Sequence, residues 1–422
     1  MLRRLAAPFL LDISPLRDSR SFRLLWIGQL ISLSGTHLRL VAVPYQVYLL
    51  TGSSFDVGLL GLFQAVPLIS LSLFGGVIAD RVDRRRLLVV TQTALAATSL
   101  VLALATQLSI VNLPLLYGLV AVAAAFSAID NPARGSLVPN LVQRRQLAAA
   151  ITLQQVLFQS AAIAGPALAG IVIVSFGVAG AYWIDAASFG AAIAAVVLLT
   201  APPRTPSAPQ NVARSLAEGI SYLRSNRILF ATMSLDFLAT FFGSPRALFP
   251  YYADRVFRVG PEGLGLLFAA PGIGSLLAAL ASGWVPKVRR QGLAVLLAVT
   301  GWGLAIAAFG ALSDGLFPLG LGFVALAEAA DTVSAIFRIT ILQTFVPDAL
   351  RGRLTAINSM FVIGGPTLGQ VESGAVATVI SPEFAVVSGG LACIGAVGLI
   401  ATLVPELATY RSEPATTEQA PA

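Results

Sequence analysis

Twelve stretches of about 20 or more mostly apolar residues run through this chain, each nearly free of charge, at roughly 22–50, 56–79, 87–107, 112–130, 147–175, 180–200, 228–251, 262–283, 292–312, 316–341, 354–380 and 382–404. About 20 apolar residues are what a helix needs to cross the hydrocarbon of a bilayer. Inside hydrocarbon each backbone polar group must find its partner within the segment, so uninterrupted spans of this length are helices. The fold class is therefore all-α and integral to a membrane, with twelve transmembrane helices. Composition leaves no soluble alternative. Only 11% of the 422 residues are charged and the mean hydropathy is +0.83, whereas a soluble domain carries about 25% charged residues to cover its surface.

Charge between the spans gives the topology. Arg81, Arg84, Arg85 and Arg86 crowd into the loop after span 2, and basic residues in short loops mark the cytoplasmic side. With the N-terminus inside, Arg3, Arg4, Arg17, Arg20 and Arg23 fall on the same side. So do Arg134, Arg144 and Arg145 after span 4, and Arg204, Arg214, Arg224 and Arg227 after span 6. Lys287, Arg289 and Arg290 after span 8, Arg351 and Arg353 after span 10, and Arg411 in the tail complete the set. The facing loops hold only Arg255 and Arg258. Both termini are expected in the cytoplasm, with the chain in the cell's inner membrane. The start, Met1-Leu2-Arg3-Arg4, is basic, but its apolar run is broken by Pro8 and has no small-residue cleavage site, so it reads as a tail and not a signal peptide.

Several function classes drop out. The net charge of +7 is spread over alternate loops as an orientation signal, so nucleic acid is not an expected partner. One histidine, His37, and one cysteine, Cys393, cannot make a His/Cys metal cluster, and no metal is expected. The one lysine, Lys287, follows Trp284-Val285-Pro286, so no GxxxxGK[ST] loop is present to cradle ATP. No cofactor is expected, and uphill transport would draw on an ion gradient.

The chain divides in the middle. Ala201-Pro202-Pro203-Arg204-Thr205-Pro206-Ser207-Ala208-Pro209 is a proline-rich, semi-rigid linker. After it, Ser215 to Arg224 reads as a surface helix with Leu216, Ile220 and Leu223 on one side. The expected domains are a tail (1–21), a six-helix bundle (22–200), a linker with its short helix (201–227), a second six-helix bundle (228–404) and a tail (405–422). The halves resemble each other: Val138-Pro139 precedes span 5 as Val346-Pro347 precedes span 11, and Gly165-Pro166 in span 5 recurs as Gly365-Pro366 in span 11. Two pseudo-symmetric bundles are a known transporter plan, with the substrate between them.

Gly76-x-x-x-Asp80-Arg81-x-x-Arg84-Arg85 resembles the signature loop of the major facilitator superfamily. Gly165, Pro166 and Gly170 in span 5 resemble the antiporter motif of its drug exporters. Asp130-Asn131-Pro132-Ala133-Arg134 and Tyr182-Trp183-x-Asp185-Ala186-x-Ser188-Phe189 resemble the branch that contains the enterobactin exporter and the macrolide efflux proteins. The likeness covers about residues 20–405. It implies drug:proton antiport by alternating access, a cytoplasmic gate at Gly76, Asp80, Arg81, Arg84, Arg85, Asp130 and Arg134, and a cavity lined by spans 1, 4, 7 and 10. Asp83 stands where the superfamily loop has Gly, Ala169 where the antiporter motif has its second Gly, and Thr36-His37 where many relatives in the branch place an acid.

Ionisable groups at membrane depth are costly and mark pathways. Here they fall on spans 1, 7 and 10: Arg39; Asp236 and Arg246; Glu328, Asp331 and Arg338. Ser32, Thr36, Arg39 and Gln46 share a stripe of span 1, and Glu328, Asp331, Ala335 and Arg338 share one on span 10. The functional reading makes Arg39, Gln46, Asp236, Arg246, Glu328, Asp331 and Arg338 cavity residues, with Glu328, Asp331 and Asp236 as proton-coupling candidates. The competing reading is a salt-bridge network that seals the bundles. His37 points about 200° away from Arg39 and reads as packed, and Asp185 reads as structural. Glu372 in span 11 reads either as a gate acid or as an interhelical hydrogen bond.

The expected function is a secondary exporter, not an enzyme, for a hydrophobic or amphipathic small molecule such as a drug or siderophore. It works by proton antiport, as a monomer in the lipid bilayer. A facilitator or importer of the same fold is the alternative, with a lipid scramblase behind it.

Overall fold

The computed structural model describes residues 12–199 and 212–411, with the side chains of 73–81, 212–216, 286 and 348–349 outside that description. The proline-rich linker and the far ends of both tails lie outside the described residues. Every regular element among the described residues is helical. A short helix, α1 (Ser14–Asp18), leads into α2 (Arg20–Thr51), α3 (Ser54–Arg81), α4 (Arg84–Gln107) and α5 (Leu113–Gly135). Next come α6 (Leu147–Val197), α7 (Val212–Ser225), α8 (Arg227–Phe242), α9 (Gly260–Leu280) and α10 (Gln291–Gly310). The series closes with α11 (Phe317–Phe345), α12 (Asp348–Val379) and α13 (Pro382–Leu403).

Among the described residues, nine helical stretches are long and apolar enough to cross a membrane. One of these, 54 residues from Arg144 to Val197, is two spans in line. It breaks at Gly177, whose φ of 69° and ψ of 177° belong to a region that only glycine enters readily. The remaining two spans are α2 and α12, each 32 residues long and richer in polar side chains. Together these account for all twelve spans.

The helix starts follow from local chemistry. Ser19, Asp83, Asn112, Asn226 and Ser381 each accept a bond from the backbone N–H three residues on, satisfying a donor that the first turn leaves free. Pro114 and Pro382 sit in first turns, where no N–H is missed. Two spans run further than hydropathy suggests. The Asp130–Arg134 segment is the last turn of α5 and not a loop, and Arg351 and Arg353 lie in the first turns of α12. Polar end-turns of long helices reach past the hydrocarbon, so an apolar window stops short of them.

The chain forms two compact units. Unit 1 holds Met1–Gly52, Leu62–Gln210 and Val259–Ala269; unit 2 holds Ser53–Gly61, Asn211–Arg258 and Ala270–Ala422. In unit 1, Phe22, Leu25, Leu88, Leu137, Leu141, Leu153 and Val196 form a buried core where α2, α4, α6 and the α5–α6 connection meet. Glycines then bring backbones together, as small residues do between membrane helices. A Cβ on Gly165 would strike His37 of α2, and one on Gly170 would lie 2.6 Å from the Pro261 carbonyl oxygen.

In unit 2, Gly365 and Gly369 of α12 lie against α8. Gly374 meets Ser54 and Phe55, and Gly58 and Gly61 meet the α12 carbonyls of Gln370 and Thr367. Phe249, Tyr252, Phe257 and Phe309 stack beyond the end of α8, with Tyr252 donating to the Gly310 carbonyl at 3.1 Å. The amphipathic α7 docks on α12 and the end of α11: Leu223 is buried, Glu218 pairs with Arg353 of α12, and Tyr222 donates to the Phe345 carbonyl of α11 at 2.8 Å.

Candidate functional site

The site begins with α11, whose residues Glu328, Asp331 and Arg338 fall along one face because their spacing follows the helical repeat. Across from them in unit 2, α8 contributes Asp236, 4% exposed, to the 10%-exposed Arg338 at 2.7 Å. The other arm of the same guanidinium reaches Asp331 at 3.3 Å, and Nη1 also donates to Ser334 Oγ at 3.1 Å. One arginine thus neutralises two carboxylates from two helices. Buried charges persist only with such partners.

Next to this triad is a cavity of about 100 Å³ within unit 2, room for several waters or a small polar group. Its polar wall is Arg246, Glu328, Asp331, Thr240 and Ser244, and its apolar wall includes Trp302, Phe249 and Ile306. Arg246 attracts the charge of Glu328 and Asp331 repels it. Gly243 makes the space for Trp302, since a Cβ there would come within 2.5 Å of the indole ring. Asp236, Arg246, Glu328, Asp331 and Arg338, all named from sequence, are therefore brought together in one unit. Their charges do not cancel: three carboxylates face two guanidiniums.

Arg39 and Gln46 are in unit 1, among other partners. Arg39 Nε lies 3.4 Å from Asp185 of α6, and Nη1 donates to Thr98 and Ser99 of α4 at 3.3 and 3.1 Å. Ser99 in turn donates to Asp185 at 2.6 Å, leaving Asp185 Oδ1 buried without a partner. Gln46 bonds Thr106 at 2.9 Å and accepts from the fully buried Tyr182 hydroxyl at 2.8 Å. Two members of the span 1 stripe, Arg39 and Gln46, thus face α4 and the second half of α6.

The side chains of Gly76, Asp80 and Arg81 lie outside the described residues. Of the other residues expected at the gate, Asp130 is 2% exposed and pairs with Arg134 one turn on, while Thr91 and Gln92 donate to it at 2.6 and 2.9 Å. Arg84 donates to the Ser136 carbonyl at 2.6 Å, and Arg85 to the carbonyls of Val196 and Val197. The start of α4 is thereby tied to the ends of α5 and α6, whose last carbonyls lack helical partners. Pro166 sits within α6, and its carbonyl lies 2.5 Å from where a Cβ on Gly265 would be. Glu372 of α12 keeps Oε2 buried without a hydrogen-bond partner.

Sequence reasoning missed Thr240, Ser244, Ser334, Trp302 and Phe249. Thr240 follows Asp236 by one turn and Ser334 precedes Arg338 by one, so helical spacing could have found those two. Trp302 lies in a nearly uniform apolar run, where nothing marks it, and Phe249, three residues after Arg246, carries no periodic signal of its own.

Membrane-length helices with an ionisable cluster beside a cavity are the architecture of a membrane transporter. Residues 11–421 match the family described as "Transmembrane secretion effector", and the chain belongs to that family and so to the major facilitator superfamily. It is 28% identical over 415 residues to the enterobactin exporter EntS of Citrobacter koseri, covering 98% of this chain and 99% of the relative. To the enterobactin exporter EntS of Shigella boydii it is 27% identical, covering 96% and 97%.

Among solved structures, the nucleoside transporter NupG superposes with a TM-score of 0.70 at 15% identity, covering 92% of this chain and 98% of that one. A bacterial homologue of the iron transporter ferroportin, in an inward-facing state, superposes at 0.71 and 15%, covering 92% and 99%. These likenesses establish the fold, the twelve-helix arrangement of the superfamily, in a multi-pass membrane protein.

Proposed function

We propose that the chain exports a hydrophobic or amphipathic, siderophore-like small molecule across the bacterial inner membrane by proton antiport. Both termini lie in the cytoplasm in this reading. One observation carries it: the unit 2 cluster has one carboxylate more than it has guanidiniums, next to a cavity. Such a cluster is relieved either by a proton or by a cationic group of the substrate, and competition between the two is antiport. Glu328 is the proton carrier, because Asp236 and Asp331 are already held by Arg338. Asp331 and Asp236 then tune it, and the cavity takes one small end group of the substrate between Arg246 and the wall of Trp302 and Phe249. Gly76, Asp80, Arg81, Arg84, Arg85, Asp130 and Arg134 form the cytoplasmic gate. Close packing at Gly165, Pro166 and Gly170 restrains leak. The full-length likeness to enterobactin exporters supports outward movement of a siderophore-like cargo.

The test is transport in proteoliposomes with an imposed pH gradient and a panel that includes siderophores, cationic drugs and labelled lipids. Glu328→Gln should abolish gradient-driven accumulation and leave downhill exchange intact. Accumulation by Glu328→Gln equal to wild type would remove the coupling role. Transport indifferent to the gradient would make the protein a facilitator.

A further inference from the structure

At one end of unit 1, five arginines from two distant segments are brought together. Ser19 Oγ donates to the Leu141 carbonyl at 2.6 Å, and Gln146 Nε2 donates to Asp18 Oδ2 at 2.7 Å. These bonds hold α1 and the first turn of α2 against the α5–α6 connection, and Leu16 packs on the core below. Arg17, Arg20 and Arg23 therefore stand beside Arg144 and Arg145, and all five are exposed. None of them is in an ion pair with a described residue; Arg23 donates to the Leu16 carbonyl at 3.1 Å. The nearby acids are fewer. Asp18 is engaged by Gln146, and the Ser14 backbone N–H bonds Asp12 at 2.9 Å, holding its carboxyl below the usual carboxylate range.

The apolar surface below this patch is ordered by depth. Arg20, Arg23, Ile27 and Ile31 are spaced i, i+3, i+7, i+11, which is one face of α2, and all four are exposed. The opposite face carries the buried Phe22, Leu25, Gln29 and Ser32. A 32-residue helix is about 48 Å long against about 30 Å of hydrocarbon, so roughly six residues at each end lie among headgroups. That layer takes Arg20 and Arg23. Trp26, bonded to the Leu153 carbonyl at 3.0 Å, follows at the depth where interfacial aromatics sit. Ile27 and Ile31 then reach acyl-chain depth.

We infer that this face is a binding site for an anionic phospholipid. Arg20, Arg23, Arg144 and Arg145 hold the phosphodiester, and one acyl chain lies along Ile27 and Ile31. The site is separate from the transport cavity and makes the protein responsive to the lipid charge of its membrane.

The full chain in neutral detergent would be titrated with phosphatidylglycerol or phosphatidylcholine and bound lipid counted by native mass spectrometry. One phosphatidylglycerol should bind saturably and raise the melting temperature, with weaker binding at higher salt. Each of Arg23→Gln, Arg144→Gln and Arg145→Gln should weaken it about five-fold. Ile27→Ser, which leaves every charge in place, should weaken it as well. The lipid-free melting temperatures of these variants, unchanged from wild type, separate lost binding from lost folding. Equal retention of phosphatidylcholine would overturn the inference, as would undiminished binding in the combined arginine variant. Equal protection by inorganic phosphate would also overturn it, since the site would then be one for free anions.

Discussion

Replacing Arg338 by methionine keeps the length of the side chain and removes the charge that Asp236 and Asp331 share. Breaking a buried pair by deleting one partner costs about 3–5 kcal/mol, because the other charge is left behind. The cost here has a ceiling, since Asp236 can instead take a proton from bulk water. That uptake costs about 1.36 kcal/mol for each pH unit above the reference carboxylate value near 3.9, hence about 4 kcal/mol at pH 7 and about 2 at pH 5.5. Asp331, 30% exposed, keeps part of its water and adds little.

Arg338→Met is therefore expected to lose about 3–4 kcal/mol at pH 7 and about half of that at pH 5.5. Asp236→Asn in the same chain should return about 2 kcal/mol, as the charge that needed a partner is gone. Unfolding by SDS in mixed micelles at the two pH values, on both single variants and the double, measures each quantity. Arg338→Met within about 0.5 kcal/mol of wild type at pH 7 would refute the reasoning. So would a loss that does not shrink in acid, or a double variant no better than Arg338→Met.

In unit 1, Arg39→Leu should cut membrane abundance by stranding the fully buried Asp185, and Asp185→Asn should restore it; abundance unchanged in Arg39→Leu would free that arginine for substrate. Gly177→Ala puts a Cβ at φ 69° and ψ 177° and should cost about 1–3 kcal/mol in the same SDS assay, with transport retained in what folds. Gly243→Ala should displace the Trp302 indole, shift its fluorescence and weaken substrate binding, leaving the pH dependence of transport in place; an unshifted spectrum would place Trp302 away from Gly243.

Much of this was legible in the residues. The spans announced themselves because hydrocarbon admits a single backbone solution, and the α11 face followed from the spacing of Glu328, Asp331 and Arg338. What periodicity cannot supply is the neighbour. It assigned Arg39 and Gln46 to one side of span 1, yet which helix lies on that side depends on packing between segments nearly 150 positions apart. So the partnership of Arg39 with Asp185 emerges only in three dimensions. The join of Asp236 to Arg338 was hidden for the same reason, although both were singled out. An apolar wall residue such as Trp302 leaves no trace in a segment where almost every residue is apolar.

The glycines of α12 have a mechanical consequence. Helices that meet through side chains lock ridges into grooves, and sliding them means lifting one row over another. Along α12 the contacts are smoother: Gly365 and Gly369 turn bare backbone toward α8, and Gly58 and Gly61 of α3 do the same toward α12. A rod with smooth rails on two sides can shift by about one residue's rise, 1.5 Å, without any rotamer having to change. Friction along that track is then set by single methyl groups. An alanine at Gly61 or Gly369, ordinarily the mildest of substitutions, would act on this helix as a brake.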